Sequence, residues 1–78
     1  MGVTYLMLRL RILEILEEQN KSKYWLCKRL EMTYTNFNKI VNNNTTSIKF
    51  DTLERISNLL DVPVGDLFKQ TDNNQRKN

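Results

Sequence analysis

Apolar residues return every three or four positions through most of the chain, the period of a helix with one buried face. Leu8, Ile12, Ile15 and Leu16 lie on one such stripe, with Arg9, Arg11, Glu14, Glu17 and Glu18 largely on other faces. That spacing predicts a helix from about Leu8 to Gln19. The stretch just before it alternates instead, Leu6, Leu8 and Leu10 interleaving with Tyr5, Met7 and Arg9. Alternation fits a short strand as well as a helix start, so residues 3–8 admit both readings. Ser22 is placed to cap a second helix, because its hydroxyl can accept from an orphan amide of the first turn. Behind it Leu26, Cys27 and Leu30 form an apolar edge, and Glu31-Met32-Thr33 interrupts it. Thr33 can cap a third helix running from Tyr34 to about Val41. In that helix Phe37, Ile40 and Val41 share one face, and Tyr34, Thr35, Asn38 and Lys39 share the opposite one.

The run from Asn42 to Ser47 is made of turn formers and reads as a loop. Helical period resumes at Phe50, Leu53, Ile56 and Leu60, breaks at Asp61-Val62-Pro63, and leaves a last turn or two carrying Val64, Leu67 and Phe68. From Gln70 onward no period survives. The expected fold is therefore all-α, a compact bundle of four to five helices over residues 1–69, followed by a disordered polar tail at 70–78.

Composition narrows what such a bundle can do. Two glycines and one proline leave few helix breakers. Seventy-eight residues suffice for one small core. The single cysteine, Cys27, excludes an intrachain disulfide and is expected as a small packer between helices. There is no histidine, which removes the commonest general base and the commonest metal ligand together. The expectation is a protein that is no enzyme, uses no cofactor and holds no metal. The apolar run from Val3 to Leu16 is interrupted by Arg9, Arg11 and Glu14 and is too short to span a membrane, so a cytoplasmic protein is expected.

Charge sharpens the picture. The net charge of +3 is unevenly spread. Residues 21–49 hold six cations (Lys21, Lys23, Lys28, Arg29, Lys39 and Lys49) against Glu31 alone, a net +5, whereas residues 51–78 come to −1. A basic block in a balanced chain suits a polyanion, and equally a solvated face.

The basic block coincides with residues 22–41, a capped helix, a turn of three or four residues and a second capped helix. That is the spacing of a helix-turn-helix, whose second helix lies in the DNA major groove. The outward face of that helix offers an aromatic hydroxyl (Tyr34), a methyl with a hydroxyl (Thr35), an amide (Asn38) and a cation (Lys39). These types can reach base edges, and no acid on that face would repel phosphate. Phe37 and Ile40 read as core from their period. Tyr24 is expected against the first helix, with Trp25 partly exposed.

These segments resemble the Cro and phage-repressor-like helix-turn-helix regulators, the xenobiotic-response-element family. The resemblance runs from about Ile12 to Phe68. It is carried by Ser22-Lys23, by Leu26-Cys27-Lys28-Arg29-Leu30, by Met32 to Ile40, by Phe50 to Ile56, and by Leu60 to Phe68. It implies a lambda-repressor-like bundle that binds double-stranded operator DNA, usually as a two-fold dimer. Carried over by position, Tyr34, Thr35, Asn38 and Lys39 face the bases. Lys23, Lys28, Thr33 and the loop residues Asn42, Asn43, Asn44 and Thr45 lie near phosphates. Four positions depart from the family pattern. Glu31 stands where glycine is usual and must take a positive φ or re-form the turn. Val41 stands where an acidic residue is common and Asn43 at the glycine position soon after, and Lys49 replaces the usual serine cap of the fourth helix.

The expectation is a sequence-specific DNA-binding transcriptional regulator, homodimeric, acting on a palindromic operator and lacking a small-molecule ligand domain. Leu59, Leu67, Phe68 and the N-terminal segment are the expected dimer face. The alternative is a protein-interaction module such as an antitoxin, which would expose Leu59, Val41, Trp25 and the Leu6/Met7/Leu10 segment to a protein partner.

Overall fold

Helices of seven to eleven residues are too short to persist alone in water, so their apolar faces must meet. A computed structural model of the chain describes residues 6–72 and shows how they do. Strand β1 (Leu6–Leu10) leads into α1 (Ile12–Glu18), α2 (Lys23–Leu30), α3 (Tyr34–Val41) and α4 (Phe50–Leu60). A single 3-10 turn (Val64–Leu67) then hands the chain to strand β2 (Phe68–Asp72). One core draws on every α-helix: Ile12, Ile15, Leu26, Phe37, Ile56, Leu60 and Leu67 have almost no exposed surface. Trp25, Met32, Ile40, Ile48, Leu59, Val62 and Phe68 pack against it from the rim.

The all-α expectation needs correction. β1 and β2 pair antiparallel, with Leu10 opposite Phe68 and Leu6 opposite Asp72. The alternation of Leu6, Leu8 and Leu10 therefore marks a strand, and the first helix starts at Ile12 rather than near Leu8. The disordered-tail expectation is corrected for residues 70–72, which belong to β2; residues 73–78 lie outside the described residues. What holds so polar a strand is its beginning. Leu10 is buried and Phe68 half-buried against the core, and the Arg11 amide donates to the Leu67 carbonyl at 2.8 Å. The Lys69 ammonium also pairs with the Glu14 carboxylate of α1. The five-helix version of the bundle is not what these residues form: four α-helices and one 3-10 turn are present among the described residues.

Each α-helix is followed by a residue in the left-handed region, and none of the four is glycine: Asn20, Glu31, Asn43 and Asp61, with φ between 57° and 61°. Beyond α1 the amides of Asn20 and Lys21 donate back to the carbonyls of Glu17 and Leu16 at 3.1 and 2.8 Å. Beyond α4 the amides of Asp61 and Val62 do the same to Asn58 and Ser57. These paired returns are the Schellman termination, which satisfies the last carbonyls and reverses the chain at once. Gln19 adds a side-chain tie, its Nε2 donating to the Leu60 carbonyl at 2.7 Å. Arg55 of α4 donates to the Arg29 carbonyl at the end of α2.

Asparagine and aspartate visit the left-handed region more readily than other residues with a side chain, but glutamate does not share their local hydrogen bonding. Glu31→Gly is therefore expected to raise the unfolding free energy by roughly 1 kcal/mol, measured by reversible urea denaturation.

Glu14 supplies a second prediction. The hydrogen bond from Lys69 holds its carboxyl below the usual glutamate range against the opposing effect of desolvation, and the Lys69 and Arg11 charges reinforce the drop. A carboxyl with a lowered folded-state pKa stabilises the fold above its unfolded pKa and loses that contribution as pH falls through the folded value. In Lys69→Met the Glu14 pKa should rise back toward its ordinary value, as read from its carboxyl chemical shift during a pH titration.

Candidate nucleic-acid interface

The unit from Ser22 to Val41 is built by two side-chain caps and one left-handed turn. Ser22 Oγ accepts from the Trp25 amide at 3.0 Å, and Thr33 Oγ1 accepts from the Asn36 amide at 3.2 Å. Between them Glu31 takes φ 57° and ψ 40°, the first of the two options its position allowed. Cys27 sits beneath the turn, 7% exposed, its thiol donating to the Met32 carbonyl at 3.3 Å. It packs where a small residue was expected. Lys49 begins α4 without a side-chain cap, as its lack of a suitable acceptor requires.

Helix α3 buries Phe37 and Val41 completely or nearly so, with Ile40 at the rim. Its opposite face carries Tyr34, half-exposed, and Thr35 and Lys39, both exposed. The Tyr34 ring stacks on Phe37, centroids 6.3 Å apart, and the Lys23 ammonium lies 5.8 Å from its centre. So two residues predicted from separate helices, Lys23 for phosphate and Tyr34 for bases, come together at one edge of the motif. Lys28, on the next turn of α2, stands over Tyr24 at 5.6 Å. A groove of about 600 Å³ runs between the two helices, lined by Tyr24, Cys27, Lys28, Glu31, Met32 and Tyr34. Tyr24 is thus an exposed wall of this groove, at 66% exposure, and not a partner of α1. Its place on the outward side of α2 follows from Leu26, Cys27 and Leu30 taking the inward side.

Two further cations of the basic block lie at another face of α2. Lys21 and Arg29 flank the half-buried Trp25 ring, 4.6 and 4.7 Å from its centre. Their spacing of four on either side of a tryptophan was the available sequence signal.

The remaining predicted residues divide. Asn42 and Asn44 are exposed beyond the C-terminus of α3. The amides of Asn43 and Asn44 donate to the carbonyls of Ile40 and Lys39 at 3.1 and 2.7 Å, another Schellman termination. The asparagine run thereby closes the helix. Three hydroxyl or amide side chains expected near phosphate have partners within the protein: Thr33 caps α3, Thr45 Oγ1 donates to the Ser47 carbonyl at 2.8 Å, and the Asn43 amide bonds to Leu10. Asn38 is half-buried, with Oδ1 shielded and lacking a hydrogen-bond partner. An asparagine that reads adenine uses both amide atoms, so Asn38 must turn that oxygen outward before it can do so.

Among the described residues no group of acids and cysteine could hold a metal ion, and no helix is long and apolar enough to cross a membrane. The fold is similar to that of a Bacteroides fragilis protein of known crystal structure to which DNA binding is attributed. The TM-score is 0.72 at 22% identity, over 81% of this chain and 100% of that one, a likeness of fold. No curated protein matches the chain. Residues 11–73 match the family model of the Cro/C1-type HTH DNA-binding domain, from the residue after β1 through the end of β2. With four-fifths of its length matched in this way, the chain belongs to the Cro/C1-type helix-turn-helix DNA-binding domain family.

Proposed function

We propose that the chain is a transcriptional regulator that reads a palindromic operator as a homodimer, with α3 in the major groove of each half-site. The observation that carries this reading is the outward face of α3. Tyr34, Thr35 and Lys39 stand exposed on a helix whose other side is anchored by the fully buried Phe37. A rigid helix with polar, acid-free reach is what base readout needs. Lys23 and Lys28 supply phosphate contacts along α2, and Asn42 and Asn44 supply them beyond α3. Asn38 joins the base-reading set once its amide turns outward. The reading requires neither catalysis nor a cofactor and assigns the protein to the cytoplasm, at the nucleoid.

Affinity for an operator selected from a random DNA pool should fall steeply as salt rises, because phosphate contacts release counterions. Lys39→Ala should cost about 1–3 kcal/mol in that complex if Lys39 contacts a base bidentately, and less for unrelated DNA. Fluorescence anisotropy across a salt series checks both. Binding without sequence preference, unchanged in Lys39→Ala, would refute the assignment.

The dimer face proposed here keeps Phe68 and the N-terminal strand from the one the sequence suggests and leaves out Leu67, fully buried, and Leu59, half-buried. Three of the large apolar side chains left exposed are Phe50 at 84%, Leu8 at 63% and Val64 at 39%. Phe50, Leu53, Glu54, Val64 and Phe68 line a groove of about 380 Å³. A second copy would cover this face through a two-fold contact, which a palindromic site demands of its reader. Sedimentation at micromolar concentration should show a dimer for the native chain and a folded monomer for Phe50→Glu. The protein-interaction alternative looks to Leu59, Val41, Trp25 and the Leu6/Met7/Leu10 segment, none of which lines this groove. It loses support because Val41 and Leu10 are buried. A foreign partner docked on apolar surface would bind nearly independently of salt, unlike DNA.

A further inference from the structure

Asn43 does something that neither a turn nor a phosphate contact requires. Its Oδ1 accepts from the Leu10 amide at 2.7 Å, and its Nδ2 donates to the Leu10 carbonyl at 3.1 Å. Thirty-three residues separate the two partners, and both bonds are partly shielded from solvent. The side-chain amide thus acts as a one-residue strand on the edge of β1 facing away from β2. It satisfies two backbone groups of a nearly buried leucine that would otherwise be costly to leave unpaired.

The backbone of the same residue closes α3. Asn43 has φ 61°, and its amide donates to the Ile40 carbonyl at 3.1 Å. One residue therefore grips the C-terminal end of α3 with its main chain and the N-terminal strand with its side chain. A single hydrogen bond would act as a pivot. Two in one amide plane also resist rotation. Glycine would meet the positive φ with less strain but could not make the tie, which gives a physical reason for asparagine here.

We propose that Asn43 is a positioning residue for DNA reading: it sets the orientation of α3 by fastening its end to β1 and makes no phosphate contact itself. The inference rests on the DNA-binding reading above. It concerns Lys39 most directly, since that exposed side chain lies in the last turn of α3 and its carbonyl accepts from the neighbouring Asn44 amide.

Two variants test it in the full chain. Asn43→Gly keeps the backbone conformation and removes both side-chain bonds. It should fold, as judged by circular dichroism, yet lose about tenfold in affinity for the selected operator. Its salt slope should stay that of the native protein, and the Leu10 amide should exchange faster with deuterium. Asn43→Asp should be weak when ionised, because a carboxylate oxygen then faces the Leu10 carbonyl. A protonated carboxyl can donate there as the amide does. Operator affinity of this variant should therefore recover as pH falls through the raised pKa of the introduced carboxyl, relative to the native protein measured at each pH.

Native-like operator affinity in both variants would overturn the proposal. So would a Leu10 amide that exchanges no faster in Asn43→Gly than in the native protein, because the tie from the Asn43 side chain would then protect nothing. If the native chain itself prefers no DNA sequence, the DNA-binding reading falls and the positioning role falls with it. Leu10 exchange in the same samples still reports whether the tie exists.

Discussion

Reversal of the chain at a left-handed residue is the constraint on which the rest of this structure depends. Four helices of seven to eleven residues can be stable only if their apolar faces meet within a few residues of each end. Asn20, Glu31, Asn43 and Asp61 provide those reversals at positions where glycine would be the unstrained choice. The conformation costs roughly 1–2 kcal/mol for an ordinary residue. That cost is offset where the returning amides satisfy helix carbonyls and the next helix reaches the core. At Glu31 the consequence is functional. This turn sets the angle between α2 and α3, and that angle decides which side of α3 is covered. With Phe37 fully inside, Tyr34, Thr35 and Lys39 have to face outward.

Much of this was legible because it is local. Ser22 and Thr33 announce their helices by residue type, and both accept the capping bonds expected of them. The apolar spacing of Phe37 and Val41 marks the buried stripe of α3, and Phe50 is the one member of the next helix's apolar series left exposed. Non-local features were not legible. In β2, Lys69, Gln70 and Thr71 show no apolar alternation, and the strand exists only because Phe68 starts against the core beside a partner near the other end of the sequence. At the start of the chain, Leu8 fits the helical stripe and the strand alternation equally well. Pairing with Gln70 decides between them. Asparagine at position 43 signals a turn, but nothing in the sequence says that its amide will find Leu10.

The charge distribution gains meaning from the same geometry. The six cations of residues 21–49 are not evenly solvated. Four of them rest on aromatic rings: Lys21 and Arg29 on Trp25, Lys28 on Tyr24, and Lys23 on Tyr34. Such contacts are weak, about 0.5–1 kcal/mol at exposed sites, too little to define the fold. They do restrict where long side chains go. A cation already held near its working position loses less side-chain freedom on meeting a phosphate. Glu31, in the groove lined also by Lys28, is the one acid of residues 21–49, and on α1 Glu14 and Glu18 are engaged by Arg11.

The small sheet then connects features that look separate. Leu10 faces Phe68 across the two strands, and Leu8 extends the same face of β1 into solvent. Phe68 also lines the apolar groove with Phe50 and Val64. On its other edge, β1 holds the Asn43 amide and through it the end of α3. Any body that packs on the Leu8–Phe68 face therefore bears on the strand that fastens α3. A bundle without the sheet would leave its apolar groove and its α3 terminus mechanically independent. With the sheet, covering the groove and holding α3 in one orientation involve the same five-residue strand, so neither can change without the other.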